Sequence, residues 1–188
     1  MRANLFTVPN QLTFLRMAFL PLFLSLVIYD HYIAALTVLL LAGISDGLDG
    51  LLARKLNQKT VLGAYLDPIA DKMLLSSSFL VLSLKGKIHW WLTILVLTRD
   101  VTLLVGAAVI ILVVGYRRFP PTIYGKLTTA LQIFLVFAVV TQQAFPNLPL
   151  EPVHSVLRYS VAAMTAFSGL HYSVIVARRL NSSEPAAK

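Results

Sequence analysis

The chain has 188 residues, no cysteine, 57% hydrophobic and 13% charged residues, and a mean hydropathy of +0.77. Soluble domains carry about a quarter charged residues, so this composition excludes a water-soluble globular domain, a disordered chain and a disulfide-stapled secreted module. The lack of cysteine removes thiol redox chemistry, zinc–thiolate sites and iron–sulfur clusters. The 16 Lys and Arg against 8 Asp and Glu read as cytoplasmic loops and contacts to anionic lipid, with no nucleic acid implied.

At about 20 apolar residues per bilayer span, the length accommodates roughly six spans with short loops. The first apolar stretch, 9–29, carries Arg16 in its interior and has no small-residue cleavage site, so it reads as a retained helix and not a signal peptide. Further helices are expected at 32–56, 64–85, 88–116, 123–145 and 152–178. Asp30-His31, Lys85-Gly86-Lys87, Pro120-Pro121 and Pro146-Asn147-Leu148-Pro149 supply turn or charge signals between them. Basic residues gather at Arg2, at Arg54, Lys55 and Lys59, at Arg117, Arg118 and Lys126, and at Arg178, Arg179 and Lys188, whereas the alternate loops hold only Lys85 and Lys87. The positive-inside rule then places both termini in the cytoplasm, as an even number of spans requires. The expectation is an all-α integral membrane protein with six transmembrane helices: a single domain over 1–180 and a disordered polar tail over 181–188.

Four of the eight acids, Asp46, Asp49, Asp67 and Asp71, fall at the junction of the second and third helices. Asp46, Asp49, Gly50 and Ala53 are spaced i, i+3, i+4, i+7, and Gly63, Asp67 and Asp71 are spaced i, i+4, i+8, so each set lines one face of its helix. Tyr32 to Ser45 is uncharged, about 21 Å of helix, which leaves Asp46 on the order of 9 Å inside the cytoplasmic edge of the hydrocarbon core. Four carboxylates in one such pocket cannot all stay ionised without a counter-charge. Two divalent cations answer this, and an oxygen-only donor set selects hard ions, Mg²⁺ or Mn²⁺. The plainer alternative is a set of interfacial caps or salt-bridge partners of Arg54 and Lys72.

The run Asp46-Gly-Leu-Asp49-Gly50-Leu-Leu-Ala53-Arg54, then Gly63, Asp67 and Asp71 at their spacings, resembles the signature of the CDP-alcohol phosphatidyltransferases. Pro9-Asn10-Gln-Leu-Thr13-Phe-Leu-Arg16, Arg99-Asp100 and Gly125-Lys126-Leu-Thr128-Thr129-Ala-Leu-Gln132 resemble blocks of the phosphatidylglycerophosphate synthase and mitochondrial-type cardiolipin synthase branches. The resemblance implies a six-helix, commonly homodimeric membrane enzyme that moves a phosphatidyl group from CDP-diacylglycerol to an alcohol with release of CMP. It implies that Asp46, Asp49, Asp67 and Asp71 ligate two metal ions and that Asp71 is also the general base. The nucleotide would be held at Asp49, Gly50, Ala53, Arg54 and Gly63. The two glycines would allow close backbone approach and Arg54 would fork onto a phosphate. Taken singly, the glycines also suit helix packing and Arg54 a topological charge.

For the acceptor, Arg99, Lys126, Arg117 and Arg118 are the candidate cations, with Arg99 open to the alternative of an intramembrane pair, for instance with Asp100. Glycerol 3-phosphate is slightly favoured as acceptor, with phosphatidylglycerol, the substrate of a cardiolipin synthase, as the alternative. An ion-coupled transporter predicts acids spread through the bilayer depth and interrupted midplane helices, which the sequence lacks. The expected location is a bacterial cytoplasmic membrane, with the site facing the cytoplasm.

Overall fold

The structure, a computed structural model, describes residues 8–56, 61–114 and 122–182, with side chains for 18–45, 72–109, 112 and 122–177. Six helices follow in chain order: α1 (Val8–Ile28), α2 (Tyr32–Leu56), α3 (Val61–Leu84), α4 (Trp90–Val114), α5 (Ile123–Ala144) and α6 (Glu151–Ser182). α6 continues to Ser182, past the expected end at 178 and two residues into the segment expected as a tail. Arg178 and Arg179 sit near its C-terminal end, where basic residues favour helix. α3 begins at Val61 rather than 64, and α4 at Trp90 rather than 88.

The late start of α4 has a local cause. α3 closes with bonds from Gly86 N to Ser83 O (3.0 Å) and from Lys87 N to Leu82 O (2.8 Å), and Ile88 N also reaches Leu82 O at 3.3 Å. This is a Schellman closure with Gly86 at φ 69° in the left-handed position that glycine adopts without strain. α1 ends in the same way, from Asp30 N to Val27 O (3.2 Å) and His31 N to Leu26 O (2.8 Å), with Asp30 at φ 60° in the glycine position. An aspartate tolerates that conformation because its short polar side chain finds local partners. Here they are Tyr32, whose hydroxyl donates to Oδ1 at 2.9 Å, and Lys85, whose Nζ sits 2.7 Å from Oδ2 and 3.1 Å from the Ile28 carbonyl. The two turns are thereby clasped. Lys85 and Tyr32 together hold the Asp30 carboxyl below the usual carboxylate range.

The helices divide into two compact units. In the first, residues 1–88 and 136–150, α1 packs against both α2 and α3. Its buried side chains are mostly apolar, with Phe23, Val27, Ala35, Phe79, Leu82 and Val140 fully or almost fully enclosed beside the buried hydroxyls of Ser78 and Ser83. Pro21 interrupts the bonding of α1, as membrane helices tolerate. The α5–α6 loop is held by Gln142, whose amide donates to Pro146 O (3.2 Å) and accepts from Leu150 N (3.3 Å).

The second unit, residues 89–135 and 151–188, packs α4 against α6 alongside the first half of α5. Its buried faces change character along their length. α4 runs Leu92, Val96, then Arg99; α6 runs Val161, then Thr165 and Ser168; α5, in the opposite order, runs Thr128, Gln132, then Leu135. Each triplet keeps i, i+3 or i+4 spacing and so lies on one helix face, while Thr93 and His154 add buried polar groups nearer the starts of α4 and α6.

Large apolar side chains point outward on all six helices, among them Leu22, Leu40, Leu80, Leu104, Phe134 (62% exposed) and Leu170 (71% exposed). Hydrocarbon covers such a surface without cost, whereas water does not. Among the described residues, Trp90–Val109, Ile123–Ala144 and Glu151–Ala177 are each long and apolar enough to cross a bilayer. Ala18–Ile28, Tyr32–Ser45 and Lys72–Leu84 are shorter apolar stretches.

Candidate active site

The acidic signature lies on two helices of the first unit. Asp46, Asp49, Gly50, Ala53 and Arg54 stand on the C-terminal half of α2, and Gly63, Asp67 and Asp71 on the N-terminal half of α3. Leu56 and Val61 are joined by four residues, so these two helix ends lie within about 18 Å of one another. Along the axes from those ends, Asp49 and Asp67 stand at about 10 Å and 9 Å, and Asp46 and Asp71 both at about 15 Å. Both helices pack on α1, with Asp46 and Asp49 on α2 and Asp67 and Asp71 on α3 at matching axial distances from the ends that the link joins. The side chains of these eight residues lie outside the described ones. Among the described residues no group of three His, Asp or Glu side chains could hold a metal. The donor chemistry of the four acids, carboxylate oxygen alone, fits a pair of hard divalent cations.

In the second unit the polar ends of α4, α5 and α6 meet around Arg99. Its side chain is 6% exposed and that of Asp100 10%, and Nη1 lies 2.8 Å from Asp100 Oδ1. Nη2 donates to Ser168 Oγ at 3.1 Å, while Nε is buried without a hydrogen-bond partner among the described residues. The alternative foreseen for Arg99, an intramembrane pair with Asp100, is thus present, and it leaves one donor unspent. Gly125 and Gly169 border the guanidinium: a Cβ on the first would come within 3.4 Å of Nη2, and one on the second within 3.6 Å of Cγ. The two sequence blocks that begin at Arg99 and Gly125 are therefore neighbours in space.

The start of α5 is capped by Thr122, whose Oγ1 accepts from Gly125 N at 3.1 Å. Lys126 follows in the first turn and is exposed, its N–H making the first bond of the helix to Thr122 O at 3.1 Å. A buried guanidinium, the positive end of a helix dipole and an ammonium on the same helical turn create a local excess of positive charge that Asp100 alone does not balance. Arg117 and Arg118 lie outside the described residues.

Ser168 was not singled out from sequence, because a lone serine on an apolar helix is common. Its signal, i+3 from Thr165, emerges only once the buried face of α6 is known. A second group also went unread: Tyr124 stands edge-on to Phe167 (4.9 Å between centroids) and to His171 (5.1 Å). His171 Nδ1 is buried and has no hydrogen-bond partner among the described residues.

Comparison with known proteins identifies the family. A sequence model of the family described as CDP-alcohol phosphatidyltransferase matches residues 6–170. A protein of Mycobacterium tuberculosis named probable phosphatidylglycerophosphate synthase is 37% identical over 190 residues, covering 95% of this chain and 84% of that protein. A Schizosaccharomyces pombe cardiolipin synthase (CMP-forming) / mitochondrial hydrolase fusion protein is 35% identical over 93% of this chain, which spans 32% of the fusion. An Aquifex aeolicus CDP-diacylglycerol--glycerol-3-phosphate 3-phosphatidyltransferase is 40% identical over 126 residues, 65% of this chain and 68% of that protein. With the acidic signature on α2 and α3 inside the matched region and apolar helices around it, this membrane protein belongs to the CDP-alcohol phosphatidyltransferase family.

Proposed function

We propose that the protein transfers the phosphatidyl group of CDP-diacylglycerol to an alcohol, releasing CMP, with glycerol 3-phosphate as the favoured acceptor. The observation that carries this reading is the family match over residues 6–170, which takes in Asp46 and Asp49 on α2 and Asp67 and Asp71 on α3. These four would hold two Mg²⁺ or Mn²⁺ ions, which when bound neutralise the pyrophosphate and ease departure of CMP. Asp49, Gly50, Ala53, Arg54 and Gly63 would seat the nucleotide. Asp71 takes the proton from the acceptor hydroxyl, whose oxygen forms the new bond to the phosphatidyl phosphorus as the bond to the CMP oxygen breaks.

An acceptor that carries its own phosphate needs cations that are not consumed by structural pairing. Arg99, with its unspent Nε, and Lys126, at the head of α5, supply that chemistry, and Arg117 and Arg118 complete the basic set. The apolar helices are read as six spans with both termini and the site on the cytoplasmic side of a bacterial membrane, in a homodimer. A second reading, cardiolipin synthesis from phosphatidylglycerol, draws support from the likeness to a cardiolipin synthase (CMP-forming) fusion protein and from the resemblance of Arg99-Asp100 and the threonines after Lys126 to that branch.

Purified protein given CDP-diacylglycerol and Mn²⁺ is offered glycerol 3-phosphate and phosphatidylglycerol in parallel, and the lipid product is identified by mass. Phosphatidylglycerophosphate is the expected product. Cardiolipin from the second mixture alone would replace the first acceptor by the second, and no CMP release from either would overturn the transferase reading.

A further inference from the structure

Among the described helical hydroxyls, Thr37, Ser78, Thr102, Thr129 and Ser173 each donate to the carbonyl four residues back, the usual retreat of a hydroxyl in an apolar helix. Ser168 is used differently. The Thr128 hydroxyl of α5 lies 2.8 Å from Tyr124 O on its own helix and 3.2 Å from the Met164 carbonyl of α6, and Ser168 Oγ accepts from Arg99 Nη2 at 3.1 Å. Ser168 is 3% exposed, so water cannot replace this bond.

A guanidinium offers five donors in one rigid plane, and two fixed contacts define how that plane lies. For Arg99 they come from different helices: Asp100 of α4 on Nη1 and Ser168 of α6 on Nη2. Both lie at the Nη end and leave Nε buried, without a partner among the described residues and held in one direction. We propose that Ser168 is a positioning residue for acceptor recognition: its hydroxyl fixes the plane of the Arg99 guanidinium so that Nε and the remaining N–H groups meet the anionic group of the acceptor. This rests on the reading of Arg99 as an acceptor cation.

Ser168→Ala leaves the arginine and its charge but removes one of the two anchors and strands a second donor. The guanidinium can then turn about its last torsion, and the preorganised geometry is lost. The experiment measures KM for the acceptor (glycerol 3-phosphate, or phosphatidylglycerol in mixed micelles if only that is turned over) and KM for CDP-diacylglycerol. It does so in the wild type, Ser168→Ala, Ser168→Thr and Arg99→Lys.

The expected result for Ser168→Ala is a rise of about tenfold in acceptor KM with CDP-diacylglycerol KM within about twofold. Ser168→Thr, which restores a hydroxyl, should return acceptor KM toward the wild-type value, and Arg99→Lys, which keeps charge without the fork, should raise it. If Arg99→Lys raises acceptor KM and Ser168→Ala does not, the positioning role falls and the acceptor reading stands. If Arg99→Lys leaves acceptor KM unchanged, the acceptor reading itself falls. Equal rises for both substrates, or no recovery with threonine, would make Ser168 a packing residue and overturn the proposal.

Discussion

Asp100→Asn keeps the size of the side chain and one hydrogen-bond acceptor but removes the carboxylate that pairs with the Arg99 guanidinium among the described residues. Both partners are nearly enclosed, with side chains 6% and 10% exposed and 2.8 Å between Nη1 and Oδ1, so solvent screens the pair little. Breaking a buried pair from one side costs about 3–5 kcal/mol, because the remaining charge stays in a medium that solvates it poorly. The asparagine oxygen retains a hydrogen bond worth about 1 kcal/mol, which leaves a net loss of about 2–4 kcal/mol. Glycerol 3-phosphate should recover part of this loss, since a dianion bound at Arg99 restores the missing counter-charge and stabilises by mass action. The double replacement Arg99→Met with Asp100→Leu should be close to neutral for stability, as it removes both charges together, while abolishing use of the acceptor. The assay is thermal unfolding of detergent-solubilised protein at increasing glycerol 3-phosphate, beside CMP release. Wild-type stability of Asp100→Asn, or a double variant less stable than Asp100→Asn, would refute the account of Arg99 as a buried charge balanced from one side.

Asp67→Asn should lower CMP release by at least about a hundredfold and weaken Mn²⁺ binding, read by titration of the metal; near-normal turnover would end the two-metal reading. Asp71→Asn should abolish transfer while retaining CDP-diacylglycerol binding, because three carboxylates can still hold one ion, and a loss of binding as severe as that of Asp46→Asn would deny Asp71 a separate role as base. The Asp30 carboxyl, held below its ordinary range first by Lys85, contributes stability that is present above the unfolded carboxylate value and lost as pH falls through the lower folded one. Lys85→Met should move the carboxyl titration back up toward the ordinary range, followed by carboxyl NMR shifts, and an unchanged midpoint would show that the clasp does not set it.

All six helices were legible as apolar runs, and their ends were placed to within a few residues wherever a turn residue marked them. Gly86 is the clearest case: the Lys-Gly-Lys signal marked a turn between helices, and the glycine there closes α3 in the left-handed conformation. The closure of α1 was less legible, since an aspartate in the glycine position needs Tyr32 and Lys85 beside it, and Lys85 is 55 residues away. The reach of α6 to Ser182 was missed because a basic pair reads equally as a loop charge and as the favoured C-terminal residues of a helix.

The acidic signature could be read from sequence because its pattern is local: the spacing repeats with the helical turn, and α2 and α3 carry the two halves of it as helices. The surroundings of Arg99 could not be found in that way. Which donors of its guanidinium are spent depends on Ser168, 69 residues further along the chain, and on the glycines at 125 and 169 that leave it room. Sequence by itself determined the membrane character, the helices and the acidic signature, because hydropathy and helical period are properties of contiguous residues. Only the tertiary structure decided that Arg99 is paired on one side, anchored on another and open at Nε, because a buried charge takes whatever partners the packing of separate helices brings within reach.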